Sequence, residues 1–224
     1  MSKYNKELRF LRSNHTSTKR NYLERMNDDK IFCMLEAKKY GKNYWDGKRR
    51  FGYGGYRYIP NRLTKVAKKI IKKFNLTNKS KILDVGCAKG YLLYEIKKIL
   101  PDAKVIGIDS SYYAIKNAKK EIKKNIFLNK AEKKYPFKSE HFDLTISFGC
   151  FHNLEINNLK KALNEIQRVS KNSYVMVESY RNEKELFNLQ CWALTCESFF
   201  SKKEWEWLFK EFGYNRNYEF IYFE

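Results

Sequence analysis

The sequence predicts an α/β fold. A mostly parallel, twisted sheet carries helices on both faces, and an N-terminal extension, part helical and part glycine- and aromatic-rich, precedes it. Three observations carry this prediction. From Lys81 onward, short apolar runs alternate with segments of helical periodicity, which implies right-handed crossovers between parallel strands. The first run opens into a glycine loop and then a helix, in ILDVGCAKGYLL. The next run, AKVIGID, ends in Asp109, 23 residues after Gly86. An acid at that strand end can accept hydrogen bonds from both hydroxyls of a ribose.

The elements follow in order. Leu23, Met26, Ile31, Met34 and Leu35 recur at helical spacing and predict a helix over about Lys19–Lys39. YWDGKRR and FGYGGYRY come next and end at Pro60. A helix over about Leu63–Phe74 gathers Leu63, Val66, Ala67, Ile70, Ile71 and Phe74 on one side. KILDVG is a strand closed by glycine, YLLYEIKKIL a helix stopped by Pro101, and AKVIGID a strand. AIKNAKKEIKK reads as a helix, NIFLNKA and FDLTISFG as strands, NLKKALNEIQRVS as a helix and SYVMVES as a fifth strand. Helices near Glu183–Ala193 and Lys202–Phe212 and a last strand, YEFIYF, complete the chain.

With 224 residues the chain suits one domain plus an extension, and its 43% hydrophobic content supports a real core. The formal charge of +21 raises the question of nucleic acid. The lysines are spread in pairs such as Lys68-Lys69, Lys97-Lys98 and Lys119-Lys120, which reads as solvated helix faces and not as a focused footprint. MSKYNKELRF has no apolar signal region, and no run approaches the roughly 18 residues of a membrane span. Five cysteines without a C-x-x-C pair read as reduced thiols, so a cytoplasmic protein without a metal centre is expected.

Glycine after the strand lets the backbone turn sharply and lets a ligand approach the main chain. Dinucleotide sites use G-x-G-x-x-G, whereas this chain has D-x-G-x-x-x-G, with Asp84 before the glycines. That arrangement resembles motif I of the Rossmann-like class I S-adenosylmethionine-dependent methyltransferases. IGIDSS is similar to the second motif, AEKKYPF to the third and FDLTISFGCFHNLE to the fourth, over about residues 63–223. The resemblance implies S-adenosyl-L-methionine as cofactor. Gly86, Cys87 and Gly90 would run along its methionine part, with Asp84 near the amino group. Asp109 and Ser110 would lie at the ribose, Ala131 and Glu132 by the adenine, and Ser147 at the end of the fourth strand. Ala88 replaces the family's middle glycine, and Lys130 stands where the family often has an aspartate. Residues 61–224 would form the cofactor domain and residues 1–60 an extension and substrate lid.

Ligands of open α/β sheets bind beyond the carboxyl ends of the strands. His152 follows the fourth strand and Glu178 ends the fifth, so topology places both at the rim as candidate catalytic residues. An imidazole with a near-neutral pKa suits removal of an acceptor proton. A histidine there can instead cap a helix or satisfy a core polar group, and a His/Glu metal pair lacks a third ligand. Tyr44, Trp45, Tyr53, Tyr56 and Tyr58 offer stacking faces and phenol donors, and Arg49, Arg50 and Arg57 forks for phosphate or carboxylate. Tyr180 and Arg181 continue from the fifth strand and join them as candidate substrate contacts. FGYGGYRY is expected to form part of the pocket or its lid. His15 and His141 sit in polar loops.

The extension motifs TKRNYLERM and YWDGKRRFGYGGYRY, with HNL and SYR, resemble a bacterial subgroup met in surface-polysaccharide and sugar-nucleotide pathways. That implies methyl transfer to an oxygen or nitrogen of a small molecule, such as a phosphorylated or nucleotide-linked sugar. An RNA methyltransferase is the alternative that the charge and aromatics suggest. No D/N-P-P-Y/F motif or RNA-binding module accompanies them. A binding protein that kept the cofactor fold without catalysis is the third reading. Asp84, Gly86, Gly90 and Asp109 are all in place, which argues against it.

Overall fold

The computed structural model describes residues 7–11, 15 and 18–224. The extension contributes α1 (Tyr22–Asn27), α2 (Lys30–Ala37) and α3 (Lys42–Asp46), then a 3₁₀ turn at Arg49–Phe51. The single helix expected over Lys19–Lys39 is therefore two. The run Asn27-Asp28-Asp29 favours turns over helix interiors, and Asp29 takes a left-handed φ of 39°. Its carboxylate then caps α2 by accepting from Phe32 N.

The rest of the chain alternates as expected. It runs α4 (Thr64–Lys73), β1 (Lys81–Val85), α5 (Tyr91–Ile99), β2 (Lys104–Asp109), α6 (Tyr112–Lys116), β3 (Ile126–Leu128), β4 (Leu144–Phe148), α7 (Ile156–Val169), β5 (Ser173–Glu178), α8 (Glu183–Trp192), α9 (Lys202–Glu211) and β6 (Asn217–Ile221). The helix expected over AIKNAKKEIKK stops after α6. Lys119 N–H is drawn instead to the Lys89 carbonyl at 3.0 Å, which ties this segment to the glycine loop.

The sheet order is β3-β2-β1-β4-β5-β6, and all its pairings are parallel, the last strand included. A parallel sheet needs cover on both faces, and the period-2 alternation of its strands divides that cover. Ile82, Val105 and Ile146 face α4 and α5 through Val66, Ile70, Leu93 and Ile96. Leu83, Val85, Ile108, Val175 and Val177 face α7 and α9 through Leu159, Ile166, Trp205 and Phe209. Each of the fully buried Val, Leu, Ile and Phe side chains among these stabilises by about 1.5–3 kcal/mol, so the two layers fix where the strand ends lie. The five cysteines are free thiols. No helix among the described residues is long and apolar enough to cross a membrane.

The extension packs on the chain that follows β5. Tyr22 joins Leu189, Ala193 and Phe223, while Cys33, Ala37 and Phe51 join Leu194. Together these segments roof the carboxyl edge of the sheet, which is where the site lies.

Candidate active site

β1 delivers Asp84 to the carboxyl edge, and the chain then turns at Gly86 with φ +76°. A Cβ on Gly86 would lie 2.6 Å from Cys150 Cβ, so only glycine lets the β1 and β4 ends approach this closely. Asp84 is buried, and among the described residues no donor reaches its carboxyl. Burial, and then the charge of Asp109, push it up to about 8. Asp109 is held differently. Its Oδ2 accepts from Ala88 N and its Oδ1 from Ser111 N, both at 2.8 Å. Burial raises this group more than the main-chain donors lower it. Those two bonds, with the Ser110 main chain also acting on the carboxylate, fix its orientation.

At the neighbouring edge, His152 and Glu178 converge, with Nε2 3.4 Å from Oε2. The Glu178 main-chain N–H donates to His152 Nδ1 at 3.2 Å. In the neutral ring the proton therefore sits on Nε2, facing the carboxylate. Burial lowers the His152 pKa more than Glu178 raises it, so the neutral form is the one held. In this arrangement the acceptor nitrogen of His152 is engaged inside the fold and its other nitrogen faces Glu178. The ring can orient Glu178, whose carboxylate borders the cavity.

The extension is fastened to the glycine loop by the Trp45-Asp46 pair of YWDG. Trp45 Nε1 donates to Ser111 Oγ at 2.8 Å and to the Tyr40 carbonyl at 3.0 Å. Lys89 Nζ reaches both oxygens of Asp46, at 2.8 and 2.7 Å, and the Tyr56 carbonyl at 2.9 Å. Asp46 also accepts from Tyr113 OH and Tyr56 N. FGYGGYRY folds back over α3, with Tyr53 stacked on Trp45 at 5.3 Å and Tyr56 on Tyr91 at 5.1 Å.

One cavity of about 930 Å³ lies between these parts. Of the residues expected at the cofactor, Asp84, Gly86, Cys87, Asp109, Ser110, Ala131 and Glu132 border it. His152, Glu178, Tyr44, Tyr53, Tyr56 and Arg57 border it as well. Four expected residues do not. Ser147 is buried in β4, where its hydroxyl donates to the Val85 carbonyl at 2.9 Å. Gly90 serves packing, because a Cβ there would collide with the methyls of Ile122 and Ile126. Tyr180 pairs its main chain with Ser201 and turns its hydroxyl toward Glu204. Arg181 is taken by Glu185 and Glu224 and lies over the Tyr222 ring.

The cavity also gathers residues that sequence reasoning did not place. Tyr40, Asn153 and Thr195 border it, and Thr195 Oγ1 donates to Asn153 Oδ1 at 2.8 Å. Arg20, Arg25 and Trp192 border it too, beside Arg49, one of the arginines expected to offer a fork. His15, expected in a polar loop, packs edge-on against Phe223, and burial with the Arg20 charge pushes it down to about 4. Among the described residues no three His, Cys, Asp or Glu side chains converge to hold a metal.

Residues 76–213 match the methyltransferase domain family. An uncharacterized methyltransferase of Schizosaccharomyces pombe is 31% identical over 114 residues, 50% of this chain and 40% of that protein. A demethylmenaquinone methyltransferase of Thermotoga maritima is 29% identical over 109 residues, 48% of this chain and 46% of that protein. The chain thus spans less than half the length of these curated relatives. Among solved structures, a SAM-dependent methyltransferase from Aquifex aeolicus superposes with a TM-score of 0.50 at 25% identity, covering 69% of this chain and 83% of that one.

Proposed function

The chain belongs to the methyltransferase domain family, and from that premise we propose that it methylates an oxygen or nitrogen of a small molecule held in the cavity beneath its extension. S-adenosylmethionine is the cofactor, and when bound it supplies an electrophilic methyl on a sulfonium. The residues fit it. Asp84 is a buried carboxyl without a donor, matched to an ammonium group. Asp109 borders the cavity as a carboxylate oriented by main-chain donors, matched to a ribose hydroxyl. Gly86 opens the main chain beside them, and Ala131 and Glu132 border the space for the adenine.

The observation that carries this reading is a single cavity shared by the two aspartates and by Glu178. Donor and acceptor can then meet in one space, where alignment alone is worth about 7–11 kcal/mol. Glu178 takes the acceptor proton, and His152 positions it through the Nε2 proton. Residues 1–60 act as extension and lid on a cofactor domain of residues 61–224. This is supported by the Trp45 and Asp46 contacts to Ser111 and Lys89. Within the small molecules, a sugar or sugar nucleotide of surface-polysaccharide assembly is the acceptor we favour, on the resemblance of the extension motifs.

Calorimetry with S-adenosylhomocysteine tests the cofactor site. Asp109→Ala should weaken binding by at least tenfold while leaving the fold intact, since it removes a charge-assisted acceptor. Unchanged affinity in a folded variant would sink the ribose assignment.

A further inference from the structure

We propose that Arg20, Arg25 and Arg49, gathered on the ring of Trp192, form an anion subsite that takes the phosphoryl or diphosphoryl group of the acceptor. This rests on the reading of the cavity as a methyl-transfer site and names the chemistry of what enters it.

The three arginines come from separate places. Arg20 precedes α1, Arg25 lies in its last turn, and Arg49 opens the 3₁₀ turn before FGYGGYRY. Their guanidinium carbons lie 5.4, 5.0 and 5.0 Å from the centroid of Trp192, the last residue of α8. The ring's negative face offsets part of their repulsion and holds them together. All four residues border the cavity that also holds Asp109 and Glu178.

Main-chain carbonyls fix the forks. Arg25 Nη1 donates to the Arg49 carbonyl at 2.6 Å, and Arg49 Nη1 to the Gly52 carbonyl at 2.7 Å. Arg20 Nη1 donates to the His15 and Thr18 carbonyls at 3.1 and 3.0 Å, and its Nη2 lies 3.3 Å from His15 Nδ1. A guanidinium has five N–H donors, so each fork keeps some unspent. Arg20 Nε is buried and has no partner among the described residues.

What is missing is a carboxylate in direct contact. Among the described residues no carboxylate forms an ion pair with any of the three, and Asp28 pairs with Arg50 instead. Burial lowers all three pKa values, and the Arg49 charge lowers that of Arg25 further, as the Arg20 charge does that of Arg49, while the more distant charges of Glu178 and Asp28 offset part of this at Arg20 and Arg25. Holding three like charges together with no ion-paired carboxylate is costly. One carboxylate would leave two of them unbalanced. A phosphoryl or diphosphoryl group carries two or three charges and offers several acceptor oxygens to the forks. The cavity is thus bipolar, with acids at the sheet edge and arginines under α1 and α8. An acceptor anchored by its anion at the arginine end can present its nucleophile toward Glu178.

The test is calorimetry on the full chain saturated with S-adenosylhomocysteine, with inorganic pyrophosphate and then a hexose 1-phosphate as probes. Both should bind, more weakly as salt rises. Arg49→Gln and Arg20→Gln should each weaken them by about ten- to a hundredfold, with S-adenosylhomocysteine affinity unchanged. Lys69→Gln on the exposed face of α4 removes the same charge and should change nothing. The proposal is overturned if pyrophosphate does not bind, if the arginine variants bind it as well as the parent, or if Lys69→Gln weakens it equally. It is also overturned if pyrophosphate binds and the ester does not, or if a single-stranded RNA occupies the same arginines more tightly than either. Failure of S-adenosylhomocysteine itself to bind would instead count against the methyl-transfer reading, and the pyrophosphate result would still judge the arginine subsite.

Discussion

Asp84 gives the sharpest test of how this cavity works. Burial and the charge of Asp109 push its carboxyl from 3.8 up to about 8. A raised acid is protonated in the folded protein at pH 7 and ionised in the unfolded chain. The stability it confers is therefore lost as pH rises from about 4 to about 8. An ammonium placed beside it reverses the preference, because the cation favours the carboxylate. Binding of S-adenosylhomocysteine should then expel close to one proton at pH 7. Below pH 8 its affinity should rise by about tenfold per pH unit, and above pH 8 it should level off. Calorimetry from pH 6 to 9, in buffers of different protonation enthalpy, reads both quantities. Asp84→Asn should remove the slope and the proton release. It should also weaken binding at pH 8 by about ten- to a hundredfold, the value of one charge-assisted hydrogen bond. A parent protein whose affinity is flat across this range, with buffer-independent enthalpy, would refute the pairing of Asp84 with a cation.

Two further outcomes follow from the contacts around the site. With an acceptor in hand, Glu178→Gln should lower kcat by about 10²–10⁴-fold and leave S-adenosylhomocysteine binding intact. His152→Ala should cost less, and His152→Gln, which keeps a side-chain N–H, should recover part of the loss. Full turnover in Glu178→Gln would remove it as the base. Asp46→Ala should destabilise by about 3–5 kcal/mol, because it strands the buried Lys89 ammonium. Denaturant unfolding and limited proteolysis of the extension read this, and unchanged values for both would show that the Asp46–Lys89 pair does not fasten it.

How much of this was legible in the sequence depends on how local each cause is. Strand–loop–helix order, the glycine loop and Asp109 are set by short-range pattern, and they appear where that pattern puts them. Helix breaks are less local. The end of α6 depends on Lys119 N–H reaching Lys89 across the loop, which no periodicity reports. Side-chain direction is less legible still. Topology put His152, Glu178, Tyr180 and Arg181 at one edge, yet Glu185 and Glu224 turn Arg181 away, and the Glu178 main chain engages one ring nitrogen of His152. Likewise Ser147 and Gly90 match family positions but serve a strand hydrogen bond and a tight helix packing.

The one departure inside motif I joins the two halves of the molecule. Ala88 stands at φ +52°, in the left-handed region that an alanine occupies at a cost of roughly 1–2 kcal/mol. Its side chain is buried against Trp45 and Ala114, with Tyr44, Tyr56 and Tyr113 around them. Burying one methyl returns about 0.8 kcal/mol, so packing against the extension offsets much of the strain. A bare glycine loop would leave that face of Trp45 without a partner. The alanine in place of glycine is thus explained by the segment seated over it. The same Trp45 stacks on Tyr53 and donates to Ser111, two residues beyond Asp109. Loop and extension therefore hold each other in shape. A change in the extension at Trp45 reaches the Asp109 carboxylate through two linked contacts, Trp45 to Ser111 Oγ and Ser111 N to Asp109 Oδ1, with no residue of the classical motif altered.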